Sequence, residues 1–297
     1  MPLPDAPATA GYADSPFGQI HYVEAGSGEP VLLLHQTPRS VDEYREVVPL
    51  LGRSFRAIAM DTLGFGASAK PKQAWSIELF ASGVLSLMDA LGLERSALVG
   101  HHTGGVIAME VAVTAPERVS ALVLSGTPYV DAERRRMVSA SRPPIDEVAP
   151  SQDGSHLTAL WQRRMGFYPP QSGDLLTRFV ADALKVLDRV EEGHQAVNAY
   201  PMEERVERIN VPTLIACGAQ DEFSRPDVSK LVSRIDGAVV AIIADTGVAA
   251  VDHKPTEFAA MVEAFLTTHL PGNQRADGTD GSAGEDTSLA GRSIAGA

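Results

Sequence analysis

The sequence predicts an α/β protein, a mostly parallel doubly wound sheet interrupted by one helical insertion. Two observations carry that reading. Along most of the chain, apolar runs of strand length alternate with stretches of helical spacing, as a parallel sheet covered on both faces requires. Between Pro128 and Asn210 the rhythm of strands stops, and charged, aromatic and proline-rich segments take over. At 297 residues and 44% hydrophobic, the chain is long enough to bury one large core.

The elements follow in order. Gly18–Ala25 and residues 31–34 read as strands separated by Gly26-Ser27-Gly28. Ser40-Val41-Asp42-Glu43 has the pattern of a capping box, opening a helix with Tyr44, Val47, Val48 and Leu51 on one face. Arg56–Met60 is the next strand, and Ser76 starts a helix whose Ile77, Phe80, Val84, Leu87 and Leu91 recur at helical spacing. Further strands are read at 96–99, 120–124, 211–217 and 238–243, with a buried helix over 106–113. A last helix follows Pro255, with Phe258, Met261, Val262, Phe265 and Leu266 on one stripe. Within 128–210, residues 175–190 are helical by pattern and Arg134-Arg135-Arg136 reads as a solvated helix face. The division expected is a core of 1–127 and 211–270, a helical insertion of 128–210, and a tail of 271–297. That tail is so poor in large apolar residues that it is expected to be disordered.

Composition excludes several functions. A net charge of −13 argues against nucleic acid as a partner, because phosphates need a basic face. A single cysteine, Cys217, rules out an internal disulfide framework and reads as a buried small hydrophobe. No secretory signal is seen at the N-terminus, and no apolar run approaches the ~18 residues of a membrane span. A cytoplasmic protein that meets a small-molecule substrate or ligand, and no membrane, is therefore expected; the oligomeric state is unknown at this stage. No Cys, His and carboxylate cluster has metal-ligand spacing, and Gly64-Phe65-Gly66 lacks the third glycine of a dinucleotide loop. Neither a metal nor a cofactor is expected.

The most telling stretch is Gly100-His101-His102-Thr103-Gly104-Gly105, placed between a short strand and a buried helix. Glycines two residues either side of one exposed residue allow a strained turn that lifts its side chain above the sheet. The pattern resembles the nucleophile elbow, G-x-Nuc-x-G, of the α/β-hydrolase superfamily, with His102 where Ser, Asp or Cys normally stands. Three further segments extend the resemblance over roughly residues 18–270. His35-Gln36-Thr37-Pro38-Arg39-Ser40 resembles the H-G-x-P-x-S oxyanion segment, with Gln36 replacing glycine. Asp61-Thr62-Leu63-Gly64-Phe65-Gly66-Ala67-Ser68 resembles the D-x-x-G-x-G-x-S loop, and Gly218-Ala219-Gln220-Asp221 resembles the loop of the triad acid. The resemblance implies that the helical insertion is a cap over the pocket. It also implies a catalytic histidine before the final helix, but counting back from Pro255 lands on Val248, and His253 is the alternative base nearby.

The chain thus has histidine where serine belongs and valine where histidine belongs, which excludes a serine acyl-enzyme. A small side chain became large at 102 while a large one became small at 248, so the His102 ring is expected to lean toward Val248. Contact with Asp221 is expected through a bridging water or a small shift of the loop. Three roles stay open for His102: a general base, an imidazole nucleophile, or a structural plug of a dead pocket. The backbone N–H groups of Gln36 and Thr103 are the expected oxyanion donors. His35, His101 and Asp61 are expected to be structural. The function implied is an α/β-hydrolase-superfamily enzyme acting on a small, largely apolar carbonyl, ester, lactone or epoxide compound through His102 and Asp221. A lyase, isomerase or cofactor-independent oxygenase on the same site, or an inactive ligand-binding pseudo-hydrolase, is the alternative.

Overall fold

A computed structural model describes residues 6–141, 144–186 and 188–270. The expected disordered tail, 271–297, lies outside the described residues. Eight strands form one sheet: β1 (Ala8–Ser15), β2 (Gly18–Ala25), β3 (Pro30–Leu34), β4 (Arg56–Met60), β5 (Ser96–His101), β6 (Val119–Ser125), β7 (Thr213–Gly218) and β8 (Val239–Ile243). Their order is β1-β2-β4-β3-β5-β6-β7-β8. β2 runs antiparallel to β1 and β4, and every other neighbouring pair is parallel. From β3 the chain moves outward to β4, then crosses back to β5 and continues the other way. The connections therefore diverge between β3 and β5, which opens a crevice beyond their carboxyl ends.

Alternation along the central strands builds a core on each face. Leu32, Leu34, Ile58, Met60, Leu98 and Leu122 point to one side, against α2 (Ile77–Ala90) and α3 (Thr103–Thr114). Val31, Leu33, Ala57, Val99 and Val123 point to the other, against α1 (Val47–Leu51) and the terminal helix introduced below. Ser76 caps α2 as its sequence implies, its side chain accepting from the Leu79 N–H. Cys217 is buried in β7, and burial pushes its thiol up to about 12, so it holds no thiolate at neutral pH.

Between β6 and β7 the described residues hold helices and no strand: α4 (Ala132–Ser141), α5 (Ser155–Arg164), α6 (Gly173–Leu184) and α7 (Val190–Ala199). Leu160, Leu175, Leu176 and Phe179 give this segment a small core of its own, which touches Ala249. After β7 come α8 (Val228–Val232), α9 (Ala250–His253) and α10 (Pro255–His269).

The structure departs from the sequence reading in several places. β1 has no counterpart in the sequence reading, because most of its residues are exposed and it is held by ladder bonds to β2 rather than by an apolar stripe. The capping box does not close: the Ser40 hydroxyl accepts from Asp42 N–H, and Glu43 turns inward to bond Gln36. A 3-10 turn at Val41–Tyr44 and the short α1 replace the single helix. The stretch 175–190 divides into α6 and the start of α7. Arg134 and Arg135 are not a solvated face, for they pair with Asp227 and Glu203 across the fold. Among the described residues, no helix is long and apolar enough to cross a membrane.

Candidate active site

His102 sits alone between the end of β5 and the start of α3, at φ 45° and ψ −110°. That left-handed backbone is strained for a residue with a β-carbon. The glycines on either side are required by contact. A β-carbon at Gly104 would lie 1.9 Å from the Leu34 carbonyl oxygen, and one at Gly100 would lie 2.2 Å from the Gly104 oxygen. The tip of this turn is His102, and its ring is turned toward the loop after β7.

There Asp221 is almost fully buried. Its Oδ1 accepts from the N–H groups of Phe223 (3.0 Å) and Ser224 (2.9 Å), which fixes the carboxylate in place. Its Oδ2 lies 3.4 Å from His102 Nε2. The two atoms approach without the geometry of a formed hydrogen bond, and neither has another partner among the described residues. Burial raises the Asp221 pKa, but the His102 ring and the Ser224 N–H outweigh it and hold the carboxyl below its ordinary value. An ionised carboxylate only accepts, so in neutral His102 the proton belongs on Nε2 and the lone pair on Nδ1. The bridging water expected from reach alone has no room here. Gly126 explains the closer approach: a β-carbon there would stand 2.9 Å from His102 Nε2 and 3.3 Å from Asp221 Oδ2, so only a bare backbone lets the ring pass.

The oxyanion donors need one correction. The Gln36 N–H does not face the elbow, because it donates to Glu43 Oε2 at 2.9 Å while the Gln36 side-chain amide donates to Oε1 at 2.6 Å. The next N–H does face it: Thr37 donates to Thr103 Oγ1 at a long 3.3 Å. The Thr103 N–H, first in α3, has no intrahelical acceptor. Thr37 and Thr103, not Gln36 and Thr103, are thus the backbone pair beside the tip.

Val248 lines the cavity with His102, and its carbonyl accepts from His101 Nε2 at 2.9 Å. Since a carbonyl cannot donate, His101 carries its proton on Nε2, and its Nδ1 accepts from the Ser125 hydroxyl at 3.1 Å. Burial drives the His101 pKa down to about 4, so the ring is neutral. The alternative base, His253, is not in the site: its Nδ1 bonds Thr246 Oγ1 at 2.9 Å from within α9. His35 bridges the Gln36 carbonyl and the Thr62 N–H, and Asp61 takes the N–H groups of Val41 and Ala67. Both side chains are thus engaged by the loops around them.

The cavity holds about 320 Å³ and is bounded by Thr37, His102, Thr103 and Val248 from the core and by Phe167, His194 and Asn198 from the helical segment. That volume is at the small end of ligand pockets, roughly 300–1,000 Å³. A larger hollow of about 800 Å³ shares Ile145, His194 and Asn198 but touches no elbow residue. Among the described aromatic and histidine side chains of residues 128–210, Phe167 and His194 line the elbow cavity. His156 bonds Ser151, Tyr168 reaches Arg39, and Tyr200 donates to the buried Glu110. Glu43 and Thr37 escaped the sequence reading because which N–H a carboxylate takes is a matter of folding, not of spacing.

Comparison with known proteins places the fold in a family. Over 144 residues the chain is 38% identical to haloalkane dehalogenase 2 of Mycobacterium tuberculosis (strain ATCC 25618 / H37Rv), covering 47% of this chain and 50% of that protein. The chain therefore spans half the length of that relative. It is 28% identical over 257 residues to a 2-hydroxy-6-oxo-6-(2'-aminophenyl)hexa-2,4-dienoic acid hydrolase of Metapseudomonas resinovorans, covering 84% of this chain and 88% of that one. The enol-lactonase from Burkholderia xenovorans LB400 superposes with a TM-score of 0.70 at 21% identity, over 86% of this chain and all of that one, a likeness of fold. The profile of the alpha/beta hydrolase fold family matches residues 29–235, and the chain belongs to that family.

Proposed function

We propose that the protein is an enzyme that uses His102 as a general base on a small, largely apolar carbonyl, ester, lactone or epoxide compound. The observation that carries this reading is the imidazole at the elbow tip, facing the cavity with its Nε2 3.4 Å from Asp221. With Nε2 turned to the carboxylate, Nδ1 is the nitrogen that takes a proton from water. The water oxygen bonds to the electrophilic carbon, the leaving bond breaks, and the imidazolium that forms lies beside an ionised Asp221. The N–H groups of Thr37 and Thr103 receive the charge that develops on the substrate oxygen, Thr37 releasing its long bond to the Thr103 hydroxyl. The helical segment supplies the opposite wall and acts as the lid. Relatives named for epoxide hydrolysis and dienoic acid hydrolysis support a hydrolytic outcome.

A panel of esters, lactones and epoxides, assayed with wild type and His102→Ala, tests this. The expected loss in the variant is on the order of 10²–10⁴-fold in kcat/KM. Equal turnover by the two proteins removes His102 from the chemistry. Running the reaction in ¹⁸O-water separates hydrolysis, which incorporates the label, from elimination or isomerisation, which does not. Tight binding of a carbonyl compound without turnover replaces the enzyme reading with a ligand-binding one.

A further inference from the structure

The leaving group of a hydrolysis also needs a proton, delivered either by protonated His102 or by a second acid. The cavity contains a second imidazole. His194, on α7, lines it from the side of the helical segment. Its Nε2 lies 2.8 Å from Asp146 Oδ2. Asp146 is completely buried. Arg164 grips the carboxylate with two guanidinium nitrogens, Nε to Oδ1 at 2.6 Å and Nη2 to Oδ2. The Arg164 guanidinium in turn lies 4.9 Å from the ring centre of Phe167 and 4.8 Å from that of Phe179.

Each link has a physical consequence. The acceptor-only carboxylate assigns a proton to Nε2 of His194, so Nδ1 is the nitrogen that exchanges protons with the cavity. Arg164 and the stacked rings fix Asp146, and Asp146 fixes the ring, the same logic by which an acid orients the histidine of a triad. Burial pushes the Asp146 pKa up, but Arg164 and His194 more than reverse it, to about 2, so it is ionised throughout the neutral range. The helix is also held at the site. A β-carbon at Gly193 would stand 2.7 Å from Phe65 and 2.8 Å from the Thr37 hydroxyl, so α7 packs directly on the loop that carries a backbone donor.

We propose that His194, oriented by Asp146 and Arg164, is the general acid of this site, delivering a proton to the leaving group while His102 takes one from water. This rests on His102 being the base. For an ester, the water oxygen bonds to the acyl carbon and one water proton goes to His102 Nδ1. The bond from carbon to the leaving oxygen breaks, and that oxygen takes the Nδ1 proton of protonated His194. His102 then returns its proton to solvent and His194 regains one, which closes the cycle.

Leaving-group dependence tests the assignment. p-Nitrophenyl butyrate expels a phenolate that needs no proton, whereas ethyl butyrate expels an alkoxide that does. His194→Gln keeps an amide donor for Asp146 but has no proton to transfer, and its thermal unfolding checks that it is folded. The expected result is a loss on the order of 10²-fold in kcat/KM on ethyl butyrate against less than about threefold on p-nitrophenyl butyrate. Equal losses on both esters, or none on either, overturn the acid role while His102 stays the base, provided His102→Ala loses both activities. If His102→Ala retains both, the base reading fails and the acid with it. A wild-type protein that hydrolyses neither ester overturns both as stated for acyl transfer. Independently of any variant, ¹⁵N NMR of the wild-type protein should find Nε2 protonated and Nδ1 bare in neutral His194; the opposite tautomer overturns the proposal.

Discussion

Position 102 combines two demands that oppose each other. Its backbone, at φ 45°, suits a residue without a β-carbon, and its side chain is the group on which the proposed chemistry rests. Strain of this kind persists only where the surroundings enforce it, here through the Gly100 and Gly104 contacts. Two substitutions separate strain from side-chain contacts. His102→Ala removes the ring but keeps a β-carbon; His102→Gly removes both. Chemical denaturation should find the glycine variant more stable than the alanine variant by about 1 kcal/mol, the reverse of the usual order in ordinary backbone. Equal stabilities would mean that the turn is relaxed. The residue scale also decides which N–H groups flank the tip, since a carboxylate from Glu43 takes the Gln36 N–H and leaves Thr37 facing Thr103.

Among the elements, β5 and the loop after β8 are linked by His101, whose ring runs from Ser125 to the Val248 carbonyl. That link is made by a neutral imidazole, because the ring is fully buried and burial penalises its charged form. The folded pKa of about 4 lies below the ordinary 6.5. Between those values the unfolded chain binds a proton that the folded chain refuses. The contribution is therefore complete above about pH 6.5 and is lost as the pH falls toward 4. A shift of this size corresponds to about 3 kcal/mol over the full window. Urea denaturation at pH 7 and pH 4.5 measures it. The wild type should lose about 2 kcal/mol more across that interval than His101→Gln, which has no proton to bind. Matching losses would show that the fold accepts the protonated ring.

For the whole molecule, Arg39 joins the parts that enclose the cavity. Its side chain is fully buried, with Nε 3.1 Å from Asp182 on α6 and Nη1 2.5 Å from Asp252 on α9. The loop after β3, the helical segment and the C-terminal helices thus meet on one guanidinium. Buried ion pairs add little over an apolar replacement of both partners, but removing one partner alone leaves a charge without compensation. Arg39→Met should accordingly lower unfolding stability by about 3–5 kcal/mol. A loss below about 1 kcal/mol, the range of exposed pairs, would mean that water or Arg178 replaces the cation.

What the sequence determined by itself is local. Apolar runs of strand length placed six of the eight strands, with Gly18–Ala25 a seventh, because such runs are properties of neighbouring residues. The elbow and its tip were legible for the same reason: Gly100, His102 and Gly104 act within one turn. Only the tertiary structure decided which distant groups meet. Nothing in the spacing tells the Glu43 side chain to turn to Gln36, Gly126 to let the His102 ring reach Asp221, or His253 to turn to Thr246. His194 could be seen as a histidine of the insertion, but not as one facing the elbow. Side-chain partners are chosen by burial: a carboxylate taken out of water must find donors wherever folding brings them, so Asp221 and Asp146 each hold a histidine from another segment of the chain.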